Sequence, residues 1–423
     1  MSDNEVTSTA RKALGILFLV SFFNYMDRYV LFVLMPSIKS DMGLSDTQLG
    51  LLVPVFTISY VILGLPFARI ADKFNRKNVI TVALTIWSAM TAVCGLAQNF
   101  VQLLLARVMV GVGEAGASPP SHSLISDYFP VSSRARAIAI FSLGAPVGII
   151  VSSLLASWIA QEYSWRIAFL CLGLPGLLLA FAVYFWLKEP ARGQSEQASR
   201  AKQADESHSF VEVLKNLLSS PAYVHLCVGT GIYTVLWQGV AGWVPSFFVR
   251  SFDMSLVQAG FWFAISIGVS QLIGIYLGGV LADRLVKKDT RWYSWLPAIA
   301  IFVTTPLYLL VFRSFNPAIA ITALFAAFMI SVFQGPASFT AVQSLAHLRM
   351  RAVACAMFLL ITNLIGGTLG TFLTGLLSDF FEPTYGADSL QQALLIISLV
   401  FGFWASLHYW LSSRTIREEL QQN

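Results

Sequence analysis

Four charged side chains stand in stretches that are otherwise apolar: Asp27 and Arg28 in "NYMDRYVL", and Arg107 and Glu114 in "RVMVGVGEAGASPP". Carboxyls and guanidiniums held together away from water can exchange protons and bind anions. Burial disfavours an ionised carboxyl, and an arginine beside it favours the charge. A carboxyl whose arginine partner moves away gains a proton, and loses it when the partner returns. On this logic Asp27 and Glu114 are candidate proton carriers. Arg28 and Arg107 are their switchable partners, or the cations that hold an anionic headgroup. The simpler alternative is a static ion-pair cluster that only joins two helices.

The glycines around Glu114 suggest other chemistry. Gly111, Gly113 and Gly116 spell G-x-G-x-x-G, the spacing of a dinucleotide-binding turn. That turn needs a strand before it and a helix after it, inside a βαβ unit. Here "SPPSHS" follows, and no strand–helix alternation occurs anywhere in the chain. In a membrane helix the same small residues let a neighbouring helix come close. Pro119 and Pro120 then break or kink the helix near its end.

The elements that carry these groups follow from composition. Of 423 residues, 56% are hydrophobic and 12% charged, and the mean hydropathy is +0.70. Soluble domains carry roughly 25% charged residues, so lipid is the solvent. A helix needs about 20 apolar residues to cross a bilayer. Twelve segments qualify, at 12–38, 47–69, 79–97, 99–121, 135–159, 165–187, 221–249, 256–281, 292–312, 317–338, 351–377 and 389–411. At about 1.5 Å per residue, Asp27 and Arg107 lie at nearly the same depth. Glu114 is two turns beyond Arg107 on the same face. If the first and fourth spans are neighbours, the four groups form one buried network.

Of the 27 Lys and Arg, 21 fall on the termini, the linker and the loops of one side, and four on the loops of the other. This bias predicts that both termini are cytoplasmic. It also accounts for the net charge of +5 without a nucleic-acid partner. Cys94, Cys171, Cys227 and Cys355 are far apart in apolar stretches and read as small packing residues, so no metal or disulfide is expected. The stretch 188–220 is polar, and its end, "FVEVLKNLL", suggests a short amphipathic helix at the membrane surface. The expected organisation is a six-helix bundle over 1–187, a cytoplasmic linker over 188–220 and a second six-helix bundle over 221–423.

The halves repeat. "LSDTQLG" from Leu44 matches "MSLVQAG" from Met254, and "ARIADKFNRK" from Ala68 matches "GVLADRLVKK" from Gly279, at offsets of 210 and 211. Two matches in order at nearly one offset indicate a duplicated unit. Such halves suit a carrier that rocks around a midplane site. A continuous channel fits an asymmetric charge cluster less well. An enzyme would need a nucleophile–base or metal set, which the spans lack.

"ARIADKFNRK" after the second span resembles the loop motif of the major facilitator superfamily, departing from it at Ala68 and Asn75, where that motif has glycine. "RVMVGVG" and "GAPVG" are similar to that family's fourth- and fifth-span motifs. The resemblance implies an all-α membrane protein with twelve transmembrane helices in two pseudo-symmetric six-helix bundles. It also implies gating roles for Asp72, Arg76 and Asp283. "NYMDRYVL", "GVGEAG", "DYFP", "WRIAF" and "NLIGGTLG" resemble the Spinster-type group, which implies a lysolipid or another amphiphile as cargo. The anion–cation symporter group shares some of these elements and would imply small organic anions such as sugar acids.

The second half has no mid-span Asp, Glu, Lys or Arg. With Tyr25, its candidates for the cavity wall are Tyr233, Trp237, Gln238, Gln334 and Asn363, the amides because buried amides need partners. Trp243, Trp262 and Gln271 are weaker candidates. His122, His225 and His408 read as interfacial. A charged wall facing an aromatic one suits an amphiphile. The expected protein is a monomeric, proton-coupled secondary transporter in a bacterial inner membrane. It takes a small-molecule or lysolipid substrate, has the lipid bilayer as surroundings and uses no cofactor.

Overall fold

A computed structural model of the chain describes residues 8–192, 215–346 and 350–422. Most of the linker lies outside the described residues, including all but the last turn, 215–218, of the expected amphipathic helix. Among the described residues there is no strand. The helices of the first half are α1 (Ser8–Met42), α2 (Asp46–Lys73), α3 (Arg76–Cys94), α4 (Phe100–Glu114), α5 (Ser118–Tyr128), α6 (Val131–Ser142), α7 (Gly144–Glu162) and α8 (Trp165–Trp186). Those of the second half are α9 (Pro221–Phe252), α10 (Leu256–Phe263), α11 (Ser270–Val286), α12 (Trp292–Arg313), α13 (Pro317–Ser331), α14 (Gln334–Leu345), α15 (Arg351–Tyr385), α16 (Ser389–Ser412) and the short α17 (Ile416–Gln422).

Joined end to end where they are nearly continuous, the described helices give eleven apolar stretches long enough to cross a membrane. The last, Val353–Ser412, runs 60 residues, twice what a bilayer core of about 30 Å holds with room to spare. It reverses at Gly386, where φ is +54°, a value that glycine adopts without strain. Its two arms, α15 and α16, pack on each other. The crossings therefore number twelve among the described residues, as the hydropathy implies.

The described residues form two compact units, one within Met1–Gly43 and Val55–Glu206, the other within Leu44–Pro54 and Ser207–Asn423. In the first, α1 packs on α7, and α3 packs on α4 and α8. In the second, α9 packs on α15, and α12 packs on α13 and α16. These are the same pairings of first with fifth and third with fourth and sixth spans. The sequence repeat has a local meaning too. Ser45 Oγ accepts from Gln48 N at 3.2 Å while Gln48 Oε1 accepts from Ser45 N at 3.0 Å. Ser255 and Gln258 form the same reciprocal pair at 3.2 and 3.0 Å. Each is a capping box that satisfies two orphan N–H groups at a helix start.

Four spans are interrupted, the fifth at Leu143 between α6 and α7. The fourth breaks at Ala115–Ala117, directly after Glu114, and Pro119 and Pro120 open α5 rather than kink a continuous helix. Proline is suited to a first turn, where its missing N–H has no partner to lose. The tenth breaks at Val332 and Phe333, directly before Gln334. The eighth passes through a π-helical turn at Ala264–Val269 between α10 and α11.

Candidate functional site

The glycines of "RVMVGVGEAG" bring α4 against two neighbours. A Cβ on Gly113 would lie 2.6 Å from the backbone N of Trp87 on α3, and one on Gly116 would lie 2.9 Å from Ala83 Cβ. A Cβ on Gly111 would collide with Ser59 and the Phe56 carbonyl on α2. The close approach aims Arg107 and Glu114 at the middle of α1, where Asp27 and Arg28 sit.

All four charges are drawn together inside the first unit. Glu114 is fully buried, and Arg28 donates to its Oε2 from Nη2 at 2.7 Å and from Nε at 3.2 Å. Arg107 is also buried and donates from Nη1 to the backbone carbonyl of Asp27 at 3.4 Å. The phenyl ring of Phe56 lies 5.0 Å from both guanidinium carbons, so one aromatic ring serves two cations. Asp27 is fully buried, and neither carboxylate oxygen has a hydrogen-bond partner among the described residues. The two carboxyls therefore differ: Glu114 has a cation in contact, and Asp27 has none.

The Arg28 side chain remains 23% exposed. It borders a cavity of about 160 Å³ lined by Ser21, Asn24, Tyr25, Tyr60, Ser121 and His122, among others. Tyr25 and Tyr60 hold their rings 5.3 and 5.0 Å from the Arg28 guanidinium. One guanidinium thus touches a buried carboxylate on one side and an open, hydroxyl-rich, aromatic space on the other.

The second-unit candidates are spread out. Tyr233 is buried and donates to Ser331 Oγ at 3.2 Å. Trp237 packs on Phe328 with ring centroids 4.8 Å apart. Gln238 is half-buried beside Gly370. Gln334 is half-buried, and its Oε1 accepts from Tyr409 OH at 2.9 Å. Asn363 departs from expectation: it is exposed, and its amide donates to the Leu359 carbonyl one turn back at 2.8 Å. Its own helix satisfies it, so the argument from a buried amide does not apply. Trp243 is fully buried and donates to the Thr371 carbonyl at 3.0 Å, a packing role.

Asp72 and Asp283 are both exposed. Arg76 is buried and forms a hub, donating to Glu189 Oε1 at 2.8 Å, to Ser123 Oγ at 2.8 Å and to Asp127. Arg192 donates to the Ala71 and Asp72 carbonyls at the end of α2 and to that of Phe74 just beyond it. Glu189 and Arg192 come from the polar stretch after α8, where sequence reasoning saw only linker. Asp127 lies in "DYFP", a motif noticed but given no role.

Two further clusters went unnoticed in the sequence. Asp46, buried at the start of α2, pairs with both Nη atoms of Arg250 at 2.6 and 2.7 Å and accepts from Ser378 Oγ at 2.6 Å. Asp379 accepts from the backbone N–H groups of Asp46 and Thr47 at 2.9 and 2.7 Å, capping α2. Leu44–Pro54 carries these contacts within the second unit. His225 and His408, expected as separate interfacial residues, meet through Nδ1 atoms 3.0 Å apart. Among the described residues no group of three or more His, Cys, Asp or Glu could hold a metal.

Comparison with known proteins places this geometry. The sequence profile of the Major Facilitator Superfamily matches residues 17–371. An "MFS-type efflux pump" of Mycolicibacterium smegmatis is 31% identical over 420 residues, covering 99% of this chain and 96% of its own length. The hexuronate transporter of Bacillus subtilis is 28% identical over 275 residues, 65% of each chain. The crystal structure of a bacterial homologue of the human lysosomal transporter Spinster superposes with a TM-score of 0.87 at 28% identity, covering 98% of both chains.

Proposed function

This chain belongs to the Major Facilitator Superfamily, and from that premise we propose that it is a proton-coupled carrier of an amphiphilic, lysolipid-like substrate, working by alternating access. The family and fold are those of membrane transporters rather than enzymes. The observation that carries the coupling is Arg28, shared between Glu114 and the cavity. An anionic headgroup entering the cavity competes with Glu114 for Arg28. Glu114, deprived of its cation in a buried site, then takes a proton, because an isolated buried charge is far costlier than a neutral carboxyl. Anion and proton therefore load together. Asp27, buried with no cation in contact, would be the second carrier. Arg107 keeps α1 and α4 in register through the Asp27 carbonyl.

Tyr25 and Tyr60 would sandwich the headgroup. Tyr233, Trp237, Gln238, Gln334 and Asn363 would line the path of the apolar tail. Residues 1–187 and 221–423 would be the rocking bodies, with Arg76, Asp72 and Asp283 gating the cytoplasmic side. The protein would act as a monomer in a bacterial inner membrane with both termini inside, as the charge bias supports. Likeness to the Spinster homologue along nearly the whole chain supports the amphiphile. The hydroxyl-rich lining of the cavity supports a second reading, a sugar acid or similar organic anion, as does the partial match to a hexuronate transporter.

The test is the melting shift of the purified protein with lysophospholipids and hexuronic acids, in a detergent unlike a lysolipid, at two pH values. Ligand at 100 times its Kd adds about 2.7 kcal/mol. Stabilisation by a lysophospholipid that strengthens as pH falls supports the proposal. Stabilisation by the hexuronic acid alone replaces the cargo. Binding that strengthens as pH rises reverses the coupling to proton–substrate exchange.

A further inference from the structure

A second cavity, of about 390 Å³, opens in the second unit far along the chain from the charged cluster, where α12 begins and α16 ends. Arg291, Arg414, Arg417, Trp295, Trp410 and Glu418 are among the residues lining it. Its walls are fixed. Arg291 is held by Asp289, Nη2 to Oδ2 at 2.8 Å and Nε to Oδ2 at 3.1 Å, and lies 4.4 Å from the Trp295 ring centroid. That arginine keeps the Asp289 carboxyl below the usual carboxylate range. Glu419 accepts from the Ala222 N–H at 3.0 Å, anchoring α17 to the start of α9. Arg417, on α17, comes within 4.0 Å of Asp289.

Arg414 differs from its neighbours. Its guanidinium lies 4.1 Å from the Trp410 ring centroid, with no carboxylate partner among the described residues. An arginine stacked on an aromatic face keeps its N–H fork free for a planar or tetrahedral oxyanion. Running away from the pocket, α12 exposes Ile299 and Phe302, while α16 exposes Phe403 and Leu407 beyond the 45%-exposed Trp410. The spacing from Trp295 through Ile299 to Phe302, and from Phe403 through Leu407 to Trp410, puts each set on one helix face. The two faces adjoin, since the Phe302 and Phe403 rings are 5.7 Å apart. A basic pocket thus adjoins an exposed apolar face shared by two antiparallel helices.

We propose that this pocket and the apolar face beside it bind one anionic phospholipid. Its phosphodiester lies against Arg414, Arg417 and Arg291, and an acyl chain lies along α12 and α16. The chemistry is that of a phosphate group. The adjoining apolar face assigns it to a lipid rather than to a free ion, because inorganic phosphate would leave that face uncontacted. The two tryptophans mark the headgroup level, where such rings concentrate. The site is separate from the substrate cavity and independent of the substrate's identity.

The experiment is native mass spectrometry of the full chain in detergent, with melting curves, against phosphatidylglycerol, phosphatidylcholine and inorganic phosphate. Arg414→Gln and Arg417→Gln are compared with Lys287→Gln, a change outside the pocket on the loop that carries Arg291. Arg414 and Arg417 are exposed, so the variants should fold. A surface arginine is worth roughly fivefold in affinity for an anionic lipid. Phosphatidylglycerol should bind more tightly than phosphatidylcholine, and each pocket variant should lose about fivefold while Lys287→Gln loses less. Equal losses in all three variants, or no preference for phosphatidylglycerol, would overturn the site. Stabilisation by inorganic phosphate at matched concentration would assign the pocket to a free anion and overturn the lipid.

Discussion

Glu114 and Asp27 share a burial and differ in one contact, and that difference decides what each substitution should do. On the proposed coupling, Glu114→Gln removes the competitor for Arg28 and the group that would take up the proton. Substrate affinity should become less dependent on pH and stay near its low-pH level, while accumulation driven by a pH gradient in proteoliposomes is lost. A wild-type response to the gradient would sink the role assigned to Glu114. Arg28→Lys keeps the charge but not the fork that spans Glu114 and the cavity. Substrate affinity should fall about tenfold, equivalent to 1.4 kcal/mol, as read by isothermal titration. The four charges were legible in sequence because a charge inside an apolar run is costly. Their pairing was not. Which carboxyl takes Arg28 depends on the break after Glu114 and on Phe56, an ordinary aromatic in an apolar run that sequence gives no reason to single out.

Helices here are positioned by small contacts with large consequences. Gly113 faces the backbone of α3 at 2.6 Å from where a Cβ would be, and backbone cannot step aside as a side chain can. Gly113→Ala should lower stability by about 1–3 kcal/mol, seen as a drop in melting temperature together with weaker substrate binding as α4 is pushed off α3. An unchanged melting curve would mean that the helices are not packed this closely. Asp46 is buried against Arg250 and Ser378. Asp46→Ala leaves that arginine without its carboxylate and should cost roughly 3 kcal/mol, against almost nothing for substitution of exposed Asp283. The same melting assay would place Asp46 among surface residues if the two variants matched. Glycine spacing told the reader that something approaches closely, and the capping-box repeat was visible as a match without a meaning. The Asp46 cluster was not legible, because its partners come from more than 200 positions further along the chain.

For the whole molecule, the charge bias makes a prediction that needs no ligand. In a variant lacking the four cysteines, Arg313→Cys should react with a membrane-impermeant thiol reagent added to intact cells, and Lys288→Cys should react only after lysis. The reverse pattern would invert the assigned topology. Twelve crossings in two related halves were readable from hydropathy and repeat, since lipid forces every backbone group into a helix. How polar groups divide between those halves is a finding of another kind. In the first, ionisable groups face one another and a cavity. In the second, Tyr233, Gln334 and Trp243 are each satisfied by a neighbouring hydroxyl or carbonyl. On the proposed function, the coupling chemistry belongs to the first copy and the second carries contacts with cargo. If so, then over evolutionary time, and in any laboratory selection for new cargo, accepted changes should gather in the second copy, away from Asp27, Arg28, Arg107 and Glu114.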